Sequence, residues 1–563
     1  MRQTLYAATA LATLATIGAA QANDVQPGGT LNVITYYTRL DVTTWDYHKW
    51  TWKMNQDGPH LDHLLMGDVE AFGPRGSNES PFTAQDYIPR EHLTGDLATA
   101  WELKEDPLRL EFALREDVVW PAKDGLMESR ALVADDVVTT FEAMWESDRK
   151  IPTYWDFIER WEAEGDHKVV AYLDHYNANW PYRIGWGFYN AILPAEWHAL
   201  SEEERSDWRN ATGTGPYKVE EVVTGSRQIY VANDEYWGTT TIDGTEHELP
   251  LNDRLVYHII KDDASAIATL RSGKADIMEQ IRWQFVDELR RSAPDLTIEP
   301  YGAPNGTYLA LRTDTPPFDN IEVRRAMNLA VNQEEILAAV MNGEGTLLNW
   351  PFAATWEGLY TPLEELPEET QALFGHDPGR AAEMLREAGV PEGFSFEVMV
   401  CTCNPTHMDM IPLLDFYFDQ VGIDMQANAM EYGAFRSQMR EDTMSAGYLM
   451  DNSAGNPFAT LRKAFVSDQT WNATMHADPA FDALWEEANA EVDLEKQQEL
   501  LKAANLAAID AVAQVWLPSG TFYRAWWPWV KNYHGEMRVG AMRPGPIYAR
   551  VWIDEVLKRE MGY

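Results

Sequence analysis

Two hydrophobic rhythms alternate along this chain, one of period two and one near 3.6. In RLEFALRED, Leu108, Leu110, Phe112 and Leu114 share one face, while Arg109, Glu111 and Arg115 share the other, which predicts a half-buried strand. GGTLNVITYY, bounded by Gly28-Gly29, predicts an earlier strand. In ADDVVTTFEAMW, Val137, Phe141, Met144 and Trp145 fall at helical spacing. Asp135 or Asp136 stands at the helix start, where a carboxylate suits exposed N–H groups. Between Gly215 and Tyr236, Thr224-Gly225 separates two short β runs and predicts a hairpin.

The pattern continues downstream. DASAIATLRSGKADI predicts a helix that stops at Gly273, then a strand. Val323, Met327 and Ala330 form one apolar stripe, and Asn332 starts a second helix with Glu335 as its capping-box partner. In GHDPGRAAEMLREAG, Asp377 is the expected N-cap, Pro378 suits the first helical position and Gly389 is the stop. Ala381, Met384, Leu385 and Ala388 make its buried side. PAFDALWEEANAEVDLEKQQELLKAANLAAIDAV predicts two helices, and the tail from Trp516 to Tyr563 predicts short strands and turns rich in aromatics. Strands and helices alternate throughout, which points to α/β layers.

The N-terminus changes the picture. Met1-Arg2 is a short cationic start, Leu5 to Ala20 is apolar or small, and Ala20-Gln21-Ala22 is an A-x-A cleavage site. The run is interrupted and short of the roughly 18–20 residues of a membrane span. Export with cleavage after Ala22 is therefore expected. Residue 23 is Asn rather than Cys, so no lipid anchor is expected, and no later segment reads as a bilayer span. A chain of 563 residues is too long for one core and predicts two or three domains. Its formal net charge of −44 argues against nucleic acid and anionic membrane surfaces as partners. The acidity has two readings, solubility in a saline habitat or long-range attraction of cationic solutes.

Candidate chemistry is sparse. No G-x-S-x-G elbow, H-E-x-x-H helix or Gly-rich phosphate loop occurs. Carboxylate pairs such as Asp135-Asp136 and Glu486-Glu487 fall on predicted helices as solvated faces, so a secreted hydrolase is a remote alternative. Cys401 and Cys403 sit in VCTCNPTH. An exported protein can hold a disulfide. Residues i and i+2 on an extended strand, however, lie about 6.6 Å apart, at the upper edge for a bridge. The spacing favours free thiols, with a bridge as the alternative. A zinc site wants four ligands at wider spacing. Only His407 lies near, and the 13 histidines form no cluster, so neither a metal nor another cofactor is expected.

Five blocks together carry a family resemblance. The first holds Leu97, Ala98, Trp101, Leu114, Arg115, Val118 and Trp120. The second is GTGPY with Asn233 and Tyr236-Trp237-Gly238. The third is Pro316-Pro317-Phe318 with Val323-Arg324 and Ala330. The fourth is Asp377-Pro378 with Glu387-Ala388-Gly389, and the fifth is Phe481-Asp482 with Leu484. In this order, across roughly residues 28–535, they resemble the large periplasmic solute-binding proteins of peptide, nickel and oligosaccharide ABC transporters, solute-binding family 5 or cluster C.

The resemblance implies a fold and a role. The fold is α/β, periplasmic-binding-protein type II-like, with two lobes, an inserted subdomain and a hinge. Implied boundaries are 1–22 for the signal peptide, 23–60 and 181–302 for domain Ia, 61–180 for domain Ib, 303–518 for domain II and 519–563 for the return to Ia. The role is that of a monomeric, non-enzymatic carrier that closes on a peptide or other amine-bearing solute. It would deliver that cargo to an inner-membrane ABC permease. The alternative cargo is an oligosaccharide stacked on tryptophans.

The same resemblance nominates site residues. GYLMDNSAGNPFATL is similar to a domain II loop whose Asp holds a ligand ammonium in dipeptide-binding members, and the matching residue is Asp451, with Asn452 beside it. Those members carry an Arg for the ligand carboxylate after the strand that follows a Pro-x-Gly-Phe element. Here that stretch is Val400 to His407 and has no Arg. His407 or a backbone nest is the candidate substitute, and Cys401 and Cys403 are candidate cleft residues at a strand end. Tyr37, Trp45 and Trp356 are candidate aromatic faces for a sugar ring or a cation.

Overall fold

The computed structural model describes residues 25–35, 42, 44–49, 58–84, 87–148, 150, 155–188, 190–303, 305–356, 358–440, 446–451, 455–469, 471–540 and 542–563. The expected export signal, Tyr37 and Asn452 lie outside the described residues.

The chain enters its first sheet as β1 (Thr30–Ile34), with Leu31 and Val33 fully buried. It then builds a separate antiparallel sheet from β2 (Ala98–Glu105), β3 (Leu108–Leu114), β4 (Ile158–Ala163) and β5 (Lys168–Leu173), in the order β2-β3-β5-β4. β3 is the alternating run. Its Leu110, Phe112 and Leu114 are buried, and Arg109 pairs with Glu111 on the outer face at 2.7 Å. α1 (Ala134–Glu146) covers this sheet and stacks Phe141 on Trp161 with ring centroids 4.3 Å apart. At its start the Asp136 carboxylate accepts the Val133 N–H at 3.1 Å, and it also grips Arg130 through two bonds of 2.8 and 2.7 Å.

The chain returns as β6 (Tyr217–Val223) and β7 (Arg227–Ala232), the expected hairpin, turning at Gly225 with φ +71. β8 (Arg254–His258), α2 (Asp263–Arg271), β9 (Ile277–Ile281) and β10 (Thr297–Gly302) follow. The chain then crosses to a second sheet, opened by β11 (Thr307–Leu311). Next come α3 (Ile321–Ala330), α4 (Gln333–Met341), α5 (Pro378–Glu387) and β12 (Phe394–Cys401). α6 (Pro405–Gln420), β13 (Ile423–Met430), α7 (Tyr432–Arg440), β14 (Gly447–Asp451) and α8 (Pro457–Phe465) continue the alternation. α9 (Pro479–Ala490) and α10 (Leu494–Asp510) lead to β15 (Gln514–Leu517). After Pro518 alone, the chain re-enters the first sheet as β16 (Ser519–Trp526).

The first sheet runs β6-β7-β8-β1-β9-β16-β10, with a short strand, Gly345–Thr346, on β16. The second runs β13-β12-β14-β11-β15, with β12 parallel to both neighbours and β11 antiparallel to both of its own. Leu309, Leu311, Val398, Val400, Leu449 and Val515 are fully buried in this second core, each worth about 1.5–3 kcal/mol of burial.

Local punctuation agrees with expectation where the signal is local. Asp377 caps α5 by accepting the Arg380 N–H at 2.8 Å, and Gly389 adopts φ +79 past its end. Asn332 caps α4 through the Glu335 N–H at 3.0 Å. Glu335 fulfils the expected box in part, taking the Asn332 side-chain amide at 3.4 Å rather than its backbone N–H. Its carboxylate also accepts the Tyr417 hydroxyl at 2.7 Å, because α6 brings that phenol onto the start of α4. The tail also differs. Beyond β16 it contains two short helices, Gly545–Ala549 and Glu555–Glu560, the second capped by Asp554.

Candidate functional site

The topology gathers chain ends at one edge of the second sheet. Thr307, the first residue of β11, pairs in register with Asp451, the last of β14, and with Leu517, the last of β15. β12 and β13 run parallel to β14's direction, so Cys401 and Met430 end at the same edge. Both crossovers leave from it, and the first sheet therefore faces it. The Thr307 N–H donates to Ser519 Oγ at 2.9 Å and ties the two crossovers together.

A pocket opens at this edge. Arg282, Trp283 and Phe522 line it from the first sheet's side, and Thr307, Thr406 and His407 from the second's. Arg282 follows β9 and is held at both ends. Its Nε donates to Asp263 at 2.9 Å and its Nη1 to Asp409 of α6 at 3.2 Å. The Trp283 indole N–H donates to the Val340 carbonyl on α4 at 2.7 Å. Contacts therefore run across the gap between the two sheets.

The pocket wall at α6 is set by its cap. Asn404 accepts the His407 N–H through its side chain at 3.2 Å, and Pro405 occupies the first helical position. His407 is only 3% exposed and lines the pocket. The preceding cysteines are joined to each other. This corrects the expectation of free thiols. β12 ends at Cys401 and the chain turns through Thr402 and Cys403, which draws the two Cα atoms to 5.1 Å instead of the extended spacing. Neither cysteine lines the pocket. Cys401 is buried under the sheet edge and Cys403 faces outward.

The other nominated residues scatter. Asp451 is the register partner of Thr307, which lines the pocket. Trp45 is buried at 5% exposure beside His60, far in sequence from both crossovers. Trp356 is 1% exposed and packs on Phe352 and Tyr87, with ring centroids at 5.3 and 6.0 Å. Its indole N–H meets no hydrogen-bond partner among the described residues. Sequence reasoning missed Arg282, Trp283, Thr307 and Thr406. Their only signal is proximity to the crossovers or to an N-cap.

The second half also carries a cationic region on α7 and α8. The Arg436 guanidinium lies 4.3 Å from the Trp471 ring centroid. Lys463 is pushed well below the usual lysine range, first by burial and then by Arg436 and Arg462.

Comparison with known proteins bears on this geometry. The family profile described as "Bacterial extracellular solute-binding proteins, family 5 Middle" matches residues 92–473. Heme-binding protein A of Haemophilus influenzae is 27% identical over 448 residues, covering 75% of this chain and 78% of its own. The dipeptide-binding protein of Escherichia coli is 26% identical over 463 residues, with 78% and 83% covered. Among solved structures, the ABC transporter-associated periplasmic binding protein DppA of Helicobacter pylori, in complex with the peptide STSA, aligns with a TM-score of 0.75. That alignment has 21% identity and covers 94% of this chain and 99% of the other. At that identity the likeness is one of fold.

Proposed function

The chain belongs to the bacterial extracellular solute-binding proteins of family 5, and from that premise we propose that it captures a peptide or related amine-bearing solute for an ABC importer. It binds its cargo and does not transform it. Cargo enters between the lobes, the lobes close, and the filled form is handed to a permease in the inner membrane. Residues 303–518 form one lobe, and the segments 23–60, 61–180, 181–302 and 519–563 form the other, with the two crossovers as hinge. The protein acts in the periplasm as a monomer after cleavage behind Ala22.

The observation that carries this reading is the pocket between the sheets, at the edge from which both crossovers leave and beside the end of β14. Asp451 ends that strand, and we assign it the cargo's ammonium group. A charge-assisted bond in a closed site is strong enough to anchor one end of a short peptide. The peptide-binding names of several relatives support the cargo class.

A thermal-shift screen with di- to pentapeptides, followed by calorimetry, tests it. Cargo at 100 times its Kd adds about 2.7 kcal/mol of stability. Asp451→Ala should weaken an amine-bearing ligand by about 2 kcal/mol or more. Unchanged affinity in the variant would remove Asp451 from the site, and silence across the peptide panel would remove the peptide reading.

A further inference from the structure

The pocket at the crossovers has a definite charge character. One of its lining side chains, Arg282, is a permanent ion. That guanidinium is engaged by two carboxylates, Asp263 at 2.9 Å and Asp409 at 3.2 Å, so the local balance is negative. The remaining polar lining is amide and hydroxyl: Gln284, Asn305, Thr307, Asn404, Thr406 and Thr521, with Trp283 and His407 beside them. The start of α6 could favour an anion through its exposed N–H groups. Its first turn has little to offer, however. Pro405 has no N–H, the His407 N–H is taken by the Asn404 side chain at 3.2 Å, and the Met408 N–H by the Asn404 carbonyl at 3.2 Å. Thr406 N–H is the one unspent donor of that turn among the described residues.

A carboxylate leaving water carries a full charge and needs an unmatched cation, and the one guanidinium here is already matched by Asp263 and Asp409. A peptide or amide carbonyl needs only neutral donors such as these amides and hydroxyls. We propose that this pocket seats an uncharged, hydrogen-bonding group of the cargo, such as a backbone or terminal amide, and discriminates against a free carboxylate. The assignment rests on the peptide reading above and sharpens it. The protein selects cargo whose far end is blocked, or whose chain continues past the pocket.

The test compares a dipeptide with its C-terminal amide by calorimetry on the intact protein, since a dipeptide is short enough to place its end here. The amide is expected to bind at least tenfold tighter. Thr406→Arg, which sets a guanidinium on the half-exposed first turn of α6, is expected to reverse the order. Equal or tighter binding of the free acid by the wild-type protein overturns the assignment, leaves peptide transport standing, and turns attention to the cations of α7 and α8. An amide preference that Thr406→Arg leaves untouched overturns the placement in this pocket. Binding of neither form, with longer peptides also silent, overturns the peptide reading and this assignment with it.

Discussion

The two halves of the molecule bury charge in different ways. Around the first sheet, buried guanidiniums meet buried carboxylates. Arg538 clasps Glu279 through two parallel bonds of 2.8 and 2.9 Å, and Arg543 holds Asp96 at 2.8 Å and Asp62 at 3.2 Å. The partners lie 259, 447 and 481 residues apart in sequence. Around the second sheet the buried Arg324 instead donates to backbone carbonyls of Phe318, Val512 and Ala511, at 2.6, 2.7 and 2.9 Å. The first half is assembled from remote segments of chain, and the second from one continuous stretch. Aliphatic burial is non-directional and cannot tell one remote partner from another. A bidentate ion pair can, because its geometry is specific. Paired charge is thus placed where segments from both ends of the chain must meet in one register, whereas Arg324, though 188 and 187 residues from Val512 and Ala511, stays within one continuous half.

The sharpest way to break this comparison is to remove one cation from each half. Arg538→Met strands Glu279 as a fully buried charge and should cost about 3–5 kcal/mol. Arg324→Met leaves three carbonyls without their donor and should cost less, about 1–3 kcal/mol. Denaturant titration of both variants, followed by hydrogen exchange to locate the loss, reads the difference. An Arg324 variant as damaged as the Arg538 variant would show that the two cations do equivalent work.

The same contrast between local and remote explains what was legible beforehand. The Thr224-Gly225 hairpin, the Asp377 cap and the β3 alternation each need only a few neighbouring residues, and each stands as expected. Glu335 keeps its expected partner Asn332, through its N–H at 3.0 Å and its carboxylate at 3.4 Å, but that carboxylate also takes Tyr417, 82 residues on. The cysteine pair turned on where β12 ends, which the extended spacing could not register. His407 is nominated because it follows a strand, and it lines the pocket. Arg282, Trp283, Thr307 and Thr406 are not nominated, because each is ordinary alone and becomes a pocket wall only when two sheets are brought face to face. Trp356 reads as a cleft face in isolation but lies within the core, as bulky aromatics commonly do.

A second prediction probes the charge-rich half by pH. Asp62 and Asp96 share one cation in a fully buried site, so two negative charges face a single Arg543. Asp62 is pushed up to about 7, first by burial and then by Asp96, against the pull of Arg543, Trp237 and Thr214. Arg115 also acts on Asp96, and His63 faces Arg543. The folded-state value lies above the ordinary 3.8, so between those values the native state holds a proton that the unfolded chain releases. The contribution of Asp62 to stability should fall as pH climbs from about 4 to about 7, then level, with on the order of 2 kcal/mol lost between pH 5 and pH 8, against the opposite slope of His60 and His63, whose burial pushes them down. Asp62→Asn should remove the falling slope while keeping one carboxylate for Arg543. Unfolding midpoints measured at several pH values decide it, and a slope unchanged in the variant removes Asp62 as its source.

The smallest effect belongs to the contact that joins the two halves. Arg282 reaches Asp409 across the gap, beside the Trp283 bond to the Val340 carbonyl and the Tyr523 contact with Glu344. The Asp409 side chain is 57% exposed, so solvent screens the pair and it is worth at most about 1 kcal/mol. Asp409→Asn should therefore loosen closure without touching the hinge. A closure penalty is paid before any particular cargo is recognised, so among ligands with a blocked far end affinity should fall by no more than about fivefold and by the same factor for each, while a free acid, relieved of one of the two carboxylates beside the pocket, should lose less. Calorimetry over several ligands, with small-angle scattering of the filled protein, measures both. A factor that varies among the blocked ligands would place Asp409 against the cargo, and an unchanged affinity would show that the ion pair only decorates a closure driven by the cargo itself.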